Sequence, residues 1–536
     1  MPQTSETKNG DPTPTTEAGN QTDIASQEAV TTPIVSWVSG DSRSLPVVID
    51  SSSVSSASAV PVQLVQFPHN LPKKLHIIRA KNGAAYSVRF DKKNRYVLAV
   101  GTRVLNNIIR EEGYSEGLTL RQSSITDVNH YLQAKAEAAA TSHDVWYRVA
   151  PIAGGVEVEL GDDAHTRVRI TAGKVETVEA GSKTLFYRTQ SMLPMARPAE
   201  TGNIRLLQKY ANLGDAEFPL FKGWLTYTLA HPKLPSSKYV ILVISGNQGS
   251  GKSVLCRLIL QLLDPTSIGI RVMPGNTKDL AIAAQNAHVL CYDNVRGFSE
   301  VLSDAFCVAA TGGAIASRQL YSDAEQAVIY LHVALVLNGI DSFIGQPDLA
   351  QRCLTLAMKA LKDSHRKSEA DMAAELQADL PAIMRGLFDL IAKVFVHLPY
   401  VEVSNPERMV DFSRWLAAME LADGVREGVY QDSYSFAIQQ GQRDSLLDSN
   451  LAAAVLSFAE DQIADQWAGT PTELLTALNA LATSGTQRSK GWPLTAIALS
   501  KRMLPLQAGL LSQGITVALS RGKHRVITIT KSGVKK

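Results

Sequence analysis

The chain lacks most of the features that mark secreted, membrane-spanning and fibrous proteins. Its four cysteines, Cys256, Cys291, Cys307 and Cys353, are widely spaced with no Cys-x-x-Cys. That excludes a disulfide scaffold and a ligand-complete zinc module, and it fits a reducing cytoplasm. No apolar run reaches the roughly 18 residues needed to cross a bilayer. The start, Met1-Pro2-Gln3-Thr4-Ser5-Glu6, lacks the basic residues and apolar stretch of a signal peptide. Charge excess is missing as well: Lys+Arg 53 against Asp+Glu 51 gives a formal net charge of +2, so bulk charge names no partner. What the chain does have is length. Its 536 residues, at a prior of roughly 150 per domain, predict about three or four units.

Composition divides these units. Residues 1–68 are rich in Ser, Thr, Pro and Ala, which predicts a disordered tail, or else a tether that docks on a partner. Residues 70–200 predict a small α+β domain of unassigned role. Short strands are expected at 85–90, 96–100, 145–150, 155–160 and 167–170, with a helix over 126–140. Asp162-Asp163, beside Gly161, reads as a solvated turn. Residues 203–370 carry the chemistry. Over 371–460, Leu376, Leu380, Ile383, Met384, Leu387, Leu390, Ile391, Val394 and Phe395 recur at three- and four-residue steps, the mark of one buried helical face, and a second apolar helix is expected over 409–421.

The chemistry begins with an apolar run at 239–244, as expected of a strand buried on both faces. It leads into Gly246-Asn247-Gln248-Gly249-Ser250-Gly251-Lys252-Ser253 and then an apolar helix over 254–263. Strand, glycine-rich loop and helix form the context of a phosphate-binding P-loop. Backbone N–H groups would approach the phosphates of ATP, Lys252 would reach the β- and γ-phosphates, and Ser253 would ligate Mg²⁺. A second apolar strand, 288–292, ends in Asp293-Asn294. Four apolar residues then Asp is a Walker B pattern, with Asp293 holding Mg²⁺ through water. Many such ATPases carry an acid at the next position. Asn294 stands here, so Asn294 orients the attacking water, or another acid such as Glu300 does, or hydrolysis is slow. A third apolar strand, 331–337, ends in Asn338, placed to sense the γ-phosphate or, more simply, to cap a turn with Gly339.

Between the second and third strands, Gly312-Gly313, Arg318 and Tyr321 resemble the extra motif of superfamily 3 helicases within the AAA+ ATPases. Residues 203–536 are similar to phage, plasmid and prophage primase-helicase proteins, most clearly over 241–358 and again over 467–529. The resemblance implies a homo-oligomeric ring, usually a hexamer, with ATP between subunits and single-stranded DNA in the central channel. It implies that Arg352, in Pro347-Asp348-Leu349-Ala350-Gln351-Arg352, is a finger acting on the neighbour's ATP, and that Arg318 lies near the channel. From the residues alone, Arg318 reads equally as a solvated arginine.

The last segment, 467–536, has its own charge pattern. No acid follows Glu473, whereas Lys501, Arg502, Arg521, Lys523 and Arg525 are among many bases there. Thr470-Pro471-Thr472-Glu473 is a capping box that opens a helix. A second helix and two alternating strands, 515–519 and 525–529, complete the pattern of a winged helix with a basic hairpin tip. One-sign charge of this kind is the footprint of duplex phosphate-backbone binding; a solvated basic tail and a module for protein contacts are the alternatives. The expected architecture is therefore multidomain α/β: an AAA+-like P-loop core, preceded by a small α+β domain and followed by a helical region and a winged helix. The expected function is an ATP-dependent DNA motor, helicase-like, of a phage or other mobile element. The alternative is a nucleotide-switched binding factor, a loader or defence sensor. A small-molecule P-loop kinase is disfavoured by length, by Arg352 and by the basic tail.

Overall fold

The computed structural model describes residue 70 and residues 75–90, 95–318, 326–339, 343–360, 368–447, 449–489, 491–520 and 525–531. The expected tail at 1–68 and the hairpin-tip residues Arg521 and Lys523 lie outside the described residues, as does the side chain of Arg318. The elements all belong to the unit Pro68–Lys536.

Strands β1 (His76–Ala80), β2 (Ala85–Phe90) and β3 (Arg95–Ala99) pair antiparallel. Helices α1 (Arg103–Ser115) and α2 (Gln122–Glu137) follow, and β4 (Ser142–His143) joins β1 in parallel. Period-2 alternation puts Ile78, Ala80, Tyr86, Val88 and Val97 in one cluster, packed with Leu185 and Tyr187. A second antiparallel sheet follows: β5 (Val149–Ile152), β6 (Gly155–Glu159), β7 (Arg167–Thr171) and β8 (Lys174–Val178). The strand expected over 145–150 starts only at Val149, because Arg148 has φ 61 and is fully buried. A left-handed residue cannot continue a strand. The expected boundary near 200 does not divide the packing. Val149, Val156, Val158, Val168 and Ile170 belong to the same apolar cluster as Trp224, Leu242 and Phe412.

Helix α3 (Glu217–Ala230) is apolar on nearly every side and is buried accordingly. Then come β9 (Ile241–Ser245), α4 (Lys252–Leu263), α5 (Thr277–Gln285), β10 (Val289–Tyr292) and α6 (Glu300–Thr311). An antiparallel hairpin, β11 (Gly313–Arg318) and β12 (Gln326–Leu331), leads to β13 (Ala334–Asn338), α7 (Pro347–Ala350) and β14 (Cys353–Ala357). The four remaining strands form a parallel sheet in the order β10-β13-β9-β14. Its faces alternate: Leu242, Ile244, Cys291, Val336 and Leu354 fall in the cluster that contains α3 and α4. Ile241, Val243, Leu290, Leu335 and Leu337 fall in the cluster that contains α5 and α6. The run at 331–337, expected as one strand, is divided. Leu331 ends the hairpin and β13 starts at Ala334, with the Val333 N–H donating to the Ala309 carbonyl at 3.0 Å at the corner.

Helices α8 (Glu369–His397), α9 (Val410–Asp423), α10 (Val429–Leu447) and α11 (Asn450–Gln462) follow. The chain ends with β15 (Gln466–Gly469), α12 (Pro471–Leu481), α13 (Ser484–Gln487), α14 (Ala496–Ser512), β16 (Ile515–Leu519) and β17 (Ile527–Lys531). The capping box forms: the Glu473 N–H donates to Thr470 Oγ1 at 3.2 Å, and the Thr470 N–H to Glu473 Oε2 at 2.7 Å. The three strands are antiparallel in the order β15-β17-β16. Leu451, Val455 and Phe458 of α11 share a cluster with Leu474, Leu499 and Ile527. Helix α11, assigned from sequence to the preceding helical region, therefore packs into this last core. Among the described residues, no helix is long and apolar enough to cross a membrane.

One buried group makes stability depend on pH. His288 is fully buried; its Nε2–H donates to the Thr228 carbonyl at 2.9 Å, and Nδ1 has no partner among the described residues. A protonated ring would carry a second N–H with no acceptor among the described residues. Burial lowers the pKa from 6.5 to about 4. The unfolded chain takes up this proton near 6.5 and the folded chain near 4, so the contribution is complete above 6.5 and is lost as pH falls toward 4. For this group the loss is up to about 3 kcal/mol. The thermal midpoint should fall between pH 6.5 and 4.5, and fall less in His288→Gln, whose side chain does not titrate in this range. Equal falls in both proteins would assign the acid sensitivity to other groups.

Candidate functional site

The C-terminal ends of β10, β13 and β9 lie side by side, and the loop after β9 opens α4. Gly249 and Gly251 have φ of 79 and 94, values at which a Cβ would cost roughly 1–2 kcal/mol. Gly251 is the N-cap of α4. The loop therefore curls over a helix terminus whose unpaired N–H groups and dipole favour an anion. Lys252 Nζ donates to the Gly246 carbonyl at 2.7 Å and to the Asn247 carbonyl at 3.0 Å, so the ammonium is held at the loop. From behind, the Met358 N–H donates to the Ser245 carbonyl at 2.9 Å. Asn212 Nδ2 donates to the carbonyls of Ser250 at 3.1 Å and Lys359 at 2.6 Å. Asn212 escaped the sequence reading because its partners are remote in the chain.

Three expected residues meet at one carboxylate. Ser253 Oγ, from the first turn of α4, donates to Asp293 Oδ2 at 2.7 Å. Asn338 Nδ2, at the end of β13, donates to Asp293 Oδ1 at 2.5 Å. The Asn294 N–H donates to the same Oδ1 at 2.7 Å. The strand order explains the meeting: β13 lies between β9 and β10, so its last residue adjoins both the loop and Asp293. Asn338 is 1% exposed, and its Oδ1 has no partner among the described residues. A hydroxyl and a carboxylate oxygen side by side beneath an anion-favouring loop are the hard donors that suit Mg²⁺. Asn294 itself is exposed, with φ 55, a conformation Asn tolerates better than most residues. Glu300 is not brought to this cluster: its Oε1 accepts from Gln346 Nε2 at 3.4 Å.

Arg352 is also elsewhere. It immediately precedes β14, and β14 runs parallel to β9 with Cys353 opposite Ile241 and Ala357 opposite Ser245. Arg352 thus sits at the opposite edge of the sheet from the glycine-rich loop. The separation is about five residues, or roughly 16 Å at 3.3 Å per residue. Its Nη1 pairs with Asp348 Oδ2 at 2.5 Å, and its side chain is 13% exposed.

The described residues expected to touch DNA fall in two places, the β11–β12 hairpin and the C-terminal module. Arg318 ends β11, opposite Gln326, at the end of the hairpin where the chain passes from β11 to β12. Lys501 and Arg502 are exposed on α14, and Arg525 is exposed just before β17. Helix and hairpin belong to one core, so these three bases are carried by a single module.

Residues 204–440 match the family model described as "Actinomycete integrative conjugative element replication protein", and residues 451–535 match the one described as "AICE RepA C-terminal domain". Together the two matches span more than half of the chain. No curated protein matches it in sequence. Among solved structures, "SCCmec type IV Cch - active helicase" is similar at 9% identity, over 85% of this chain and 93% of that one, with a TM-score of 0.41. "The A form apo structure of NrS-1 C terminal region-CTR" is similar at 11% identity, over 87% of this chain and 98% of that one, with a TM-score of 0.36.

Lys252 tests the loop directly, because among the described residues its ammonium bonds to two loop carbonyls and to no other element. Lys252→Ala should abolish binding of a fluorescent ATP analogue while the thermal midpoint stays unchanged. Wild-type affinity in that variant would mean that the loop is not a polyphosphate receptor.

Proposed function

Because residues 204–440 and 451–535 match the family models of the actinomycete integrative conjugative element replication protein and of its C-terminal domain, we propose that the chain is a replication motor of such an element, an ATP-dependent, helicase-like enzyme acting on DNA. The observation that carries this reading is the convergence of Ser253, Asp293 and Asn338 at the mouth of the glycine-rich loop. In this reading the loop from Gly246 to Gly251, with Lys252 and Ser253, binds ATP. Ser253 and Asp293 would hold Mg²⁺, which when bound neutralises charge on the phosphates. Asn338 orients water toward the terminal phosphate. The mixed α/β core thus has the parts of a P-loop ATPase of AAA+ type, and α12 to β17 those of a winged helix.

The position of Arg352 supports assembly. A cation roughly 16 Å from its own loop acts on a nucleotide only if a second copy brings a loop to it. A ring with nucleotide between subunits meets that need, and a hexamer is the usual form. In that ring the β11–β12 hairpin with Arg318 follows single-stranded DNA in the channel. The module bearing Lys501, Arg502, Arg521, Lys523 and Arg525 binds duplex phosphates.

One observation favours a second reading. Asn294, exposed and left-handed, occupies the place of a water-polarising acid, and Glu300 is engaged elsewhere. A nucleotide-switched loader or sensor with slow turnover would look like this. Turnover with and without single-stranded DNA separates the two: DNA-stimulated hydrolysis belongs to the motor, and DNA-independent, near-zero hydrolysis to the switch.

Two variants test the assembled site. Arg352→Ala should bind nucleotide and lose turnover by about 10³-fold or more. Mixing it with Lys252→Ala should restore activity, because a mixed interface pairs an intact loop with an intact arginine. Absence of rescue, with both variants assembling, would count against a shared site.

The basic module is tested by salt. Each phosphate contact contributes about 0.7 to 0.9 to the slope of log affinity against log salt. Replacing Lys501, Arg502, Arg521, Lys523 and Arg525 by Ala should flatten the slope by roughly three units if they make about four contacts. An unchanged slope would remove this module from the DNA interface.

A further inference from the structure

Arg352 shares its carboxylate with a second arginine that comes from a remote part of the chain. Asp348 Oδ2 takes Arg352 Nη1 at 2.5 Å, and Asp348 Oδ1 takes Arg408 Nη1 at 2.6 Å. Arg408 Nη1 also donates to Gln351 Oε1 at 2.8 Å. Arg352 Nη1 donates further to the Asp348 carbonyl at 2.7 Å. Two guanidinium groups thus flank one carboxylate at the edge of the sheet where β14 begins, on the short segment α7 and the residues just after it. The pairing of Arg352 with Asp348 is local, i to i+4, and would form in any helical turn of this sequence. Arg408 is different. It lies in the segment before α9, and nothing in local geometry brings it here. Two acceptors, the carboxylate and the Gln351 amide, fix its direction.

The burial is uneven. Arg352 is 13% exposed and Asp348 59%, while Arg408 is 39% exposed. The arginines are held from the protein side, and the carboxylate that neutralises them faces solvent. Arg352 Nε is buried and has no acceptor among the described residues, so this guanidinium has hydrogen-bonding capacity that Asp348 does not use. The Arg352 hydrogen bond and charge, with Arg408, hold the Asp348 carboxyl below the usual carboxylate range, so it remains an anion at neutral pH. A fork of two guanidinium groups around an exposed, exchangeable carboxylate is a receptor for a larger oxyanion. Planar N–H donors match phosphate oxygens, and a phosphate offers more acceptors than one carboxylate.

We propose that Arg408 is a second arginine of the intersubunit site. Together with Arg352 it binds the terminal phosphate of the nucleotide on the neighbouring copy's loop, and Asp348 is the resting counter-ion that this phosphate displaces. The proposal rests on the shared-site reading of Arg352 and adds a contacting residue, Arg408, and a positioning residue, Asp348, to it. No covalent step is involved. The exchange is of one anion for another, and Asp348 leaves as a solvated carboxylate.

The test uses the full chain and three variants, Arg352→Ala, Arg408→Ala and Lys252→Ala, alone and mixed in pairs. The readouts are ATP turnover, binding of a fluorescent ATP analogue and thermal midpoint. Arg408→Ala should bind the analogue like wild type and lose turnover about a hundredfold, the scale for removing one donor from a developing charge. Mixing it with Lys252→Ala should restore turnover, as for Arg352→Ala. Wild-type turnover in Arg408→Ala, with Arg352→Ala inactive, would overturn the proposal and leave the Arg352 reading standing. The proposal is equally overturned if Arg408→Ala is inactive and only the Arg352→Ala mixture is rescued, because Arg408 would then merely hold the edge together. If Arg352→Ala itself keeps turnover, or is inactive and not rescued, the shared-site reading fails and this proposal with it.

Discussion

The buried pair of Arg148 and Asp264 is the constraint on which the arrangement of the core depends. Both side chains are essentially inaccessible, and they meet at 3.1 Å. Burying two ions costs several kcal/mol each unless every donor and acceptor is matched. Here the match is complete. Arg148 Nε donates to Asp264 Oδ1, Nη1 to the carbonyls of Glu159 and Leu160, and Nη2 to those of Leu193 and Pro265. Asp264 Oδ2 accepts the N–H groups of His288 and Val289, and Oδ1 also accepts Tyr147. Gly161 completes the fit, since a Cβ there would lie 2.9 Å from Arg148 Nη1. Losing either partner would strand a charge in the interior, at a cost of about 3–5 kcal/mol.

That pair also sets the geometry of the site. Asp264 is the C-cap of α4, and the N–H groups it binds belong to His288 and the first residue of β10. The far end of the helix and the near end of the strand are therefore pinned together, and to the second sheet through Arg148. Ser253 at the other end of the helix and Asp293 just past the strand are then carried to the 2.7 Å contact that defines the cluster. Residues 142–200, in which the sequence shows no chemistry, thus matter to the site through packing. This is why β5–β7 share the core of the parallel sheet instead of closing one of their own.

Local pattern made the cluster readable and hid what supports it. The loop from Gly246 to Ser253, Asp293 at the end of one apolar run and Asn338 at the end of another are each signalled within a few residues. The parallel sheet order then brings them together. Nothing local marks Arg148. The alternation Val145-Trp146-Tyr147-Arg148-Val149-Ala150 looks like a strand, and only the remote carboxylate of Asp264 explains why Arg148 turns inward with φ 61. Asn212 and Arg408 were missed for the same reason: their partners are distant in sequence. The corner at His332-Val333 was missed because an unbroken apolar run reads the same in one strand or two. Helix α11 was misassigned because amphipathic spacing reports a buried face without saying which core it faces.

The strand β14 connects the two ends of this design. Arg352 immediately precedes its first residue. Just past its last, Met358 and Lys359 support the glycine-rich loop, through the Met358 N–H on Ser245 and the Asn212 amide shared between Ser250 and Lys359. A strand of five residues, hydrogen-bonded to β9 along its whole length, does not shorten or stretch appreciably, because its rise per residue is fixed by backbone geometry. A pull on the Arg352 edge along the strand axis is therefore delivered to the back of the same chain's loop. Helix α10 packs on this strand so closely that a Cβ at Gly441 would lie 3.3 Å from Thr355 Oγ1. At its end, Leu446 meets Gly509 of α14. The edge bearing Arg352, the loop and the basic module are consequently joined by one strand and one helix. In a ring where each Arg352 edge faces a neighbour's loop, that path would relate the nucleotide state at one interface to the loop of the next and to the position of the module that carries Lys501 and Arg502.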